Sequence, residues 1–195
     1  MKALFLAAGL SAAATFALAE TQTYTIDPTH ADAVFTYDHI GMSTSTWVIG
    51  GFTGEIVIDR DNLAESSITV TVPAANLFTG DESRIGHIVK SGEFFDITSF
   101  PDATFSSTSV EVTGEDTAKV TGDITINGVT QSIVLDAVLN GEMAEYPIPP
   151  FNGKPAIGFS ATGSFKRSAF NLGKFAPFIS DDITMVINVE AMDLS

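Results

Sequence analysis

Apolar residues recur at every second position along most of this chain. Ala33, Phe35, Tyr37 and His39 share one face of an extended segment, as do Phe52, Ile56 and Ile58, then Ile68, Val70 and Val72. The same period runs through Val120, Ile124 and Ile126, and through Ile133, Leu135, Ala137 and Leu139. It returns in Ile157, Phe159, Ala161 and Phe165 and in Ile183, Met185, Ile187 and Val189. A period of two is the mark of a half-buried strand. Ser67, Thr69 and Thr71, opposite one apolar row, favour strands and tolerate water. Turn signals such as Asp59-Arg60-Asp61-Asn62 and Asn127-Gly128 separate the rows. The pattern predicts about eight or nine strands with short connections, an antiparallel meander that closes into a barrel or splits into a sandwich.

One stretch has a different period. Thr79-Gly80-Asp81-Glu82 has the form of a capping box, with Thr79 as N-cap and Glu82 three residues on. Ile85, Ile88 and Val89 follow at helical spacing, Ser91-Gly92 stops the helix, and Glu93-Phe94-Phe95-Asp96 reads as a further turn. One short helical insertion near residues 79–96 is therefore expected, placed to plug one end of a barrel. The run Tyr146-Pro147-Ile148-Pro149-Pro150 reads as a surface loop between strands.

The first residues carry a separate message. Lys2 precedes an apolar stretch rich in Ala and Leu that ends Ala17-Leu18-Ala19, with Glu20 next. This predicts a secretory signal peptide over residues 1–19, cut after Ala19, and a single barrel domain over residues 20–195 in the periplasm or outside the cell. The stretch is too short to read as a membrane span. Cysteine is absent, so disulfides, thiolate chemistry and a lipidated cysteine are excluded and the core alone must hold the fold. The net charge of −15 argues against nucleic acid, which needs clustered Lys and Arg, and against anionic membrane surfaces. Any docking onto lipid would have to use apolar contacts or a local basic patch.

Candidate chemistry changes the picture little. His30, His39 and His87 have none of the paired spacings of a metal site. No G-x-S-x-G elbow or phosphate-cradling glycine loop occurs, and the carboxylates fall in turns or on outward positions. Neither an enzyme nor a metal centre is expected. The aromatics are the notable resource, with 15 Phe, three Tyr and one Trp. Phe35, Tyr37, Phe52, Phe105, Phe159 and Phe165 fall on the inferred inner face, either as ordinary core or as the wall of a lumen. Ala33, Gly54, Gly122, Ala137, Ala161 and Gly163 share these rows. Small residues among large ones open a channel or fit the taper of the barrel.

Several segments, in order, carry a resemblance. They are Tyr24-Thr-Ile-Asp-Pro-Thr-His30, Val34-Phe35 and His39, and then Thr79-Gly80, Arg84 and His87. Gly92-Glu-Phe-Phe-Asp96 and Phe100-Pro-Asp-Ala-Thr-Phe105 follow, then Gly122-Asp-Ile-Thr-Ile126 and Gly128-Val-Thr130. Lys166-Arg-Ser168, Phe170 and Ser180-Asp-Asp-Ile-Thr184 complete the set. Beyond Glu20 the sequence resembles the YceI-like family of exported, lipocalin-like barrels that bind polyisoprenoids or other lipids. Ile85 stands where that family usually has an acid, and Ala169 and Asn171 where an acid and a glycine are common.

The resemblance implies an all-β, lipocalin-like antiparallel barrel of about eight strands. It implies a carrier of a long-chain apolar small molecule, whether polyisoprenoid, isoprenoid quinone or other lipid, with no other cofactor. The candidate ligand-binding residues are Phe35, Tyr37, His39, Phe52, Arg84, His87, Phe105, Phe159 and Phe165, with Arg84 and His87 near one mouth. Stable membrane insertion is not expected, and a homodimer is compatible with the sequence. The competing reading is an exported interaction or stress module with a filled barrel that binds another protein.

Overall fold

The computed structural model describes residues 21–89 and 94–195; the predicted signal peptide and the expected helix stop at Ser91-Gly92 lie outside them. Nine strands form one sheet: β1 (Thr21–His39), β2 (Ser43–Gly50), β3 (Thr53–Asp59), β4 (Ser67–Pro73), β5 (Asp102–Val112), β6 (Thr117–Ile126), β7 (Val129–Met143), β8 (Ala156–Lys166) and β9 (Asp182–Met192). Each pairs antiparallel with its neighbours in the order β2-β1-β3-β4-β5-β6-β7-β8-β9, and β1 also pairs with β9. That last ladder, Ala31–Thr36 against Val189–Thr184, closes the sheet into a barrel. Closure leaves no long exposed edge.

The uncertainty between eight and nine strands has a structural cause. β1 is long enough to pair twice along one edge. Its first residues, Thr21–Thr25, meet β3, and Asp32–His39 meet β2. β2 and β3 are therefore one bent strand in the barrel wall, and the wall is eight ladders around. The bend falls at Gly51, whose φ of +78° suits glycine and whose missing Cβ leaves room for the Asn76 amide. At Gly54 a Cβ would lie 2.0 Å from the Thr69 carbonyl oxygen, so β3 and β4 cross here only without a side chain.

β1 carries an irregularity of its own. Its ladder with β9 slips between Ile26 and Ala31, leaving Asp27-Pro28-Thr29-His30 as a bulge. Proline has no amide hydrogen to donate to a ladder, and a bulge is where a strand tolerates it.

The helical insertion is α1 (Glu82–Val89). Its cap differs from the expected one. The Arg84 amide donates to the Asp81 carboxylate at 2.9 Å and the Ile85 amide to the Asp81 carbonyl, so Asp81, not Thr79, is the N-cap. The buried Thr79 instead donates its hydroxyl to the Asp81 carbonyl. Ile88 and Val89 bury the apolar side of α1 against the core formed by Tyr24, Ile49, Phe52 and Ile56. Among the described residues no helix is long and apolar enough to cross a membrane.

Candidate ligand-binding interior

Alternation along each strand sends every second side chain into the barrel, and there the packing is incomplete. Two cavities lie along the barrel axis. The lower one, at the end of the Asp59–Asn62 turn, has a volume of about 390 Å³. The upper one, at the end capped by α1, has about 400 Å³. Phe35, Ile49, Ala103 and Ile126 line both, so the two chambers adjoin. Each lies within the roughly 300–1,000 Å³ of small-molecule sites.

The lower chamber is walled by aliphatic and aromatic side chains such as Phe52, Phe105, Leu135, Phe159, Ile187 and Val189. Its charged lining residues, Arg60, Glu115, Asp116 and Glu142, belong to the lower rim. Arg60 at the end of β3 forms an ion pair with Glu142 on β7. Those strands sit four ladders apart on either path around the wall, so this pair straps the lower end. The Arg60 guanidinium also donates to the buried Tyr24 hydroxyl at 2.9 Å and to the Gln22 side chain. The partners are half exposed, so the strap fixes geometry more than it adds stability.

The upper chamber is chemically different. Tyr37, His39, Ser43, Ser45, Arg84 and His87 bring polar atoms to it, and no carboxylate is among its described lining residues. In a chain of net charge −15 that is a selective arrangement. Phe35 and Phe165 meet edge to face at 6.3 Å where the chambers join.

The residues singled out from sequence thus divide by height. Phe52, Phe105 and Phe159 line the lower chamber, Tyr37, His39, Arg84, His87 and Phe165 the upper, and Phe35 both. The small residues divide differently. Ala33, Ala137 and Ala161 line the lower chamber. The glycines leave no free space. A Cβ on Gly122 would meet the Phe105 ring at 2.3 Å, and one on Gly163 would meet Leu135 and Met185 at 2.7 and 2.9 Å. Of the two roles open to the small residues, Gly54, Gly122 and Gly163 serve the packing of the wall and not a channel, since each faces an occupied neighbour.

Sequence reasoning missed three features. Trp47, the sole tryptophan, lines the upper chamber and packs edge to face against Tyr37 at 5.2 Å, and its buried indole N–H has no hydrogen-bond partner. The Arg60–Glu142 strap joins residues far apart in the chain. Arg167 is buried beneath the upper mouth and donates to the carbonyls of Ser180, Lys174 and Ile179, each at 2.8 Å, and to that of Leu172. It organises the connection from β8 to β9, whose Phe175 and Ile179 form part of the chamber wall. Burial pushes its pKa down, opposed by nearby Asp181. The signal available was the Lys166-Arg-Ser168 motif, which marks the residue without revealing its partners.

His30 lies away from the cavities, in the β1 bulge, with its Nδ1 2.7 Å from the buried Asp27 carboxylate. Burial alone would raise the Asp27 pKa, but hydrogen bonds from His30 and from the Thr29 amide and hydroxyl outweigh it and hold the carboxyl below its usual range. The bond to Asp27 in turn raises the His30 pKa. The lowered carboxylate stabilises the fold above its unfolded pKa near about 3.9, and that contribution disappears as pH falls. The raised imidazole stabilises fully below about 6.5 and loses its contribution as pH rises through its folded pKa. Melting temperature should therefore peak between these limits, and Asp27→Asn should flatten both flanks in a pH series of thermal melts. Among the described residues no group of three acidic or histidine side chains is placed to hold a metal.

Comparison with known proteins agrees with this architecture. Residues 24–191 match the model of the YceI-like domain. Protein YceI of Shigella flexneri is 34% identical over 163 residues, covering 84% of this chain and 82% of that protein. The crystal structure of the Campylobacter jejuni YCEI protein superposes with a TM-score of 0.69 at 32% identity, covering 81% of this chain and 90% of the other. A polyisoprenoid binding domain from Saccharophagus degradans shares the fold, with a TM-score of 0.66 at 14% identity over 88% of this chain and 99% of its own. With a closed antiparallel barrel, one short α-helix among the described residues and a domain match over nearly all of them, the chain belongs to the YceI-like family.

Proposed function

We propose that this protein is an exported binding protein for a long apolar molecule, a polyisoprenoid, an isoprenoid quinone or another lipid. The tail lies in the lower chamber and the polar end in the upper one. The observation that carries this reading is the pair of adjoining chambers, one walled by hydrocarbon and one furnished with hydroxyl, imidazole and guanidinium groups. Each buried CH₂ contributes about 0.8 kcal/mol, so a long tail binds tightly without polar contacts. A barrel of the same fold is a polyisoprenoid binding domain, which supports the ligand class. The competing reading, a filled barrel serving as an interaction module, fits poorly with open chambers.

Native mass spectrometry of protein recovered from a periplasmic extract tests the reading. The expected species is the chain without residues 1–19, carrying an added mass that organic extraction removes. A bare protein that also fails to take up isoprenoid alcohols or quinones would overturn it.

A further inference from the structure

We propose that the upper mouth docks reversibly on a lipid bilayer surface. The inference rests on the carrier reading above, because a molecule insoluble in water has to be collected from a membrane.

The lower end is a poor entrance. The Arg60–Glu142 pair straps it. Its exposed apolar residues, Leu63, Val112, Met143, Ile148 and Leu194, are interleaved with Asp61, Glu65, Glu111, Glu142, Glu145 and Asp193. A bilayer would have to approach through a ring of carboxylates.

The upper end is unlike it. Two neighbouring loops, the β1–β2 turn and the β8–β9 connection, are joined by the Ile40 amide donating to the Phe178 carbonyl at 3.0 Å and the Ser180 amide to the Asp38 carbonyl. They hold out Met42 (82% exposed), Phe178 (77%), Phe175 (52%) and Ile40 (49%). Ile40 and Phe175 adopt φ of +53° and +66°. Bulky and β-branched side chains are rarely found in that region, so the backbone is strained where it presents them outward. Phe175 lines the upper chamber as well, so the apolar rim is continuous with the cavity. Lys174 lies over the Phe175 ring at 5.2 Å, and Arg84, Lys166 and Arg167 belong to the same end. These four cations offset part of the charge of Asp38, Asp81, Glu82, Asp96, Asp102, Asp181 and Asp182 there, whereas the rest of the barrel carries most of the net negative charge. An apolar, only weakly acidic tip on a strongly acidic body suits an uncharged, zwitterionic bilayer approached mouth first. It does not suit an anionic one, which repels the body over a Debye length.

Flotation of the mature protein with phosphatidylcholine vesicles tests the proposal. The protein should float with the vesicles, and more weakly with phosphatidylglycerol vesicles at low salt. Met42→Ser combined with Phe178→Ser should weaken partitioning about tenfold to a hundredfold, since partial burial of two large apolar side chains is lost. Neither residue lines a chamber, so uptake of geranylgeraniol from detergent micelles should be unchanged. Val138→Ser, an outward residue of β7, should float like the parent. No flotation of the parent protein, with geranylgeraniol uptake intact, would overturn the docking proposal and leave the carrier reading standing. That parental result decides the matter even if the double variant misfolds. Conversion of a dimer to a monomer by the double variant, without parental flotation, would overturn it in favour of contact between two copies. Failure of uptake in every preparation would overturn the carrier reading itself.

Discussion

Ala161→Phe should reduce uptake of a long-chain isoprenoid about a hundredfold while leaving stability nearly unchanged. Ala161 sits on β8 opposite Ala137 of β7 and Ile187 of β9, and both alanines line the lower chamber. A phenyl ring there enters open volume, so it displaces ligand and not protein. Excluding three or four methylenes costs about 2.5–3 kcal/mol of binding, which is the hundredfold. Two residues further on, Gly163→Leu should do the reverse. Its new side chain meets Leu135 and Met185, which already fill the site. Overpacking of that kind costs about 1–3 kcal/mol, or roughly 3–10 °C in melting temperature for a domain of this size. Paired thermal melts and fluorescence titrations with a polyprenyl probe distinguish the two. Equal stability losses in both variants would mean that the lower chamber is filled, and the carrier reading would fail with it.

The contrast between those neighbours shows what a sequence can and cannot disclose. A period of two fixes the face of every residue in a strand, and that was enough to place Phe35, Tyr37, Phe105, Phe159 and Phe165 inside the wall. Whether a small inward residue leaves space depends on what stands across from it on the adjacent strand. Gly122 is filled by Phe105 and Gly163 by Leu135 and Met185, and these are cross-strand facts set by register. The same holds for the barrel order. That β2 and β3 share one edge of β1 follows only from long-range pairing. At the helix the sequence pointed to Thr79 as the cap, but the cap is Asp81, because its carboxylate reaches the Arg84 amide while Thr79 is buried beside it. The chemistry of the two chambers was least legible, since Arg60 and Glu142 lie 82 positions apart and become a strap only on closure.

Arg167→Met should be the most damaging single change at the upper mouth, lowering stability by about 3–5 kcal/mol. Arg167 is 8% exposed and its guanidinium satisfies carbonyls of Leu172, Lys174, Ile179 and Ser180, all on one loop. Methionine fills similar space but donates nothing, and each buried carbonyl left without a partner costs about 1–3 kcal/mol unless the loop opens to water. Opening is the cheaper response, so the loss falls short of the full sum and the loop gives way first. A decrease of roughly 10 °C in melting temperature is expected, with hydrogen exchange accelerated across residues 172–180 before the strands of the wall. Arg167→Lys should rescue only part of this, because one ammonium has three donors and no planar fork to reach carbonyls on several sides. The Ser168–Asp181 pair does not substitute for the arginine. Its hydroxyl and amide bonds, at 2.7 and 2.8 Å, secure only the base of the loop. Phe175 and Ile179, which wall the upper chamber, are carried by the part that Arg167 holds from beneath, with the backbone bonds to Asp38 and Ile40 tying only its outer edge. Ligand retention should therefore fall with loop protection in the same variants. A variant that keeps normal exchange over residues 172–180 and still loses stability would place the role of Arg167 in the barrel core instead of its mouth.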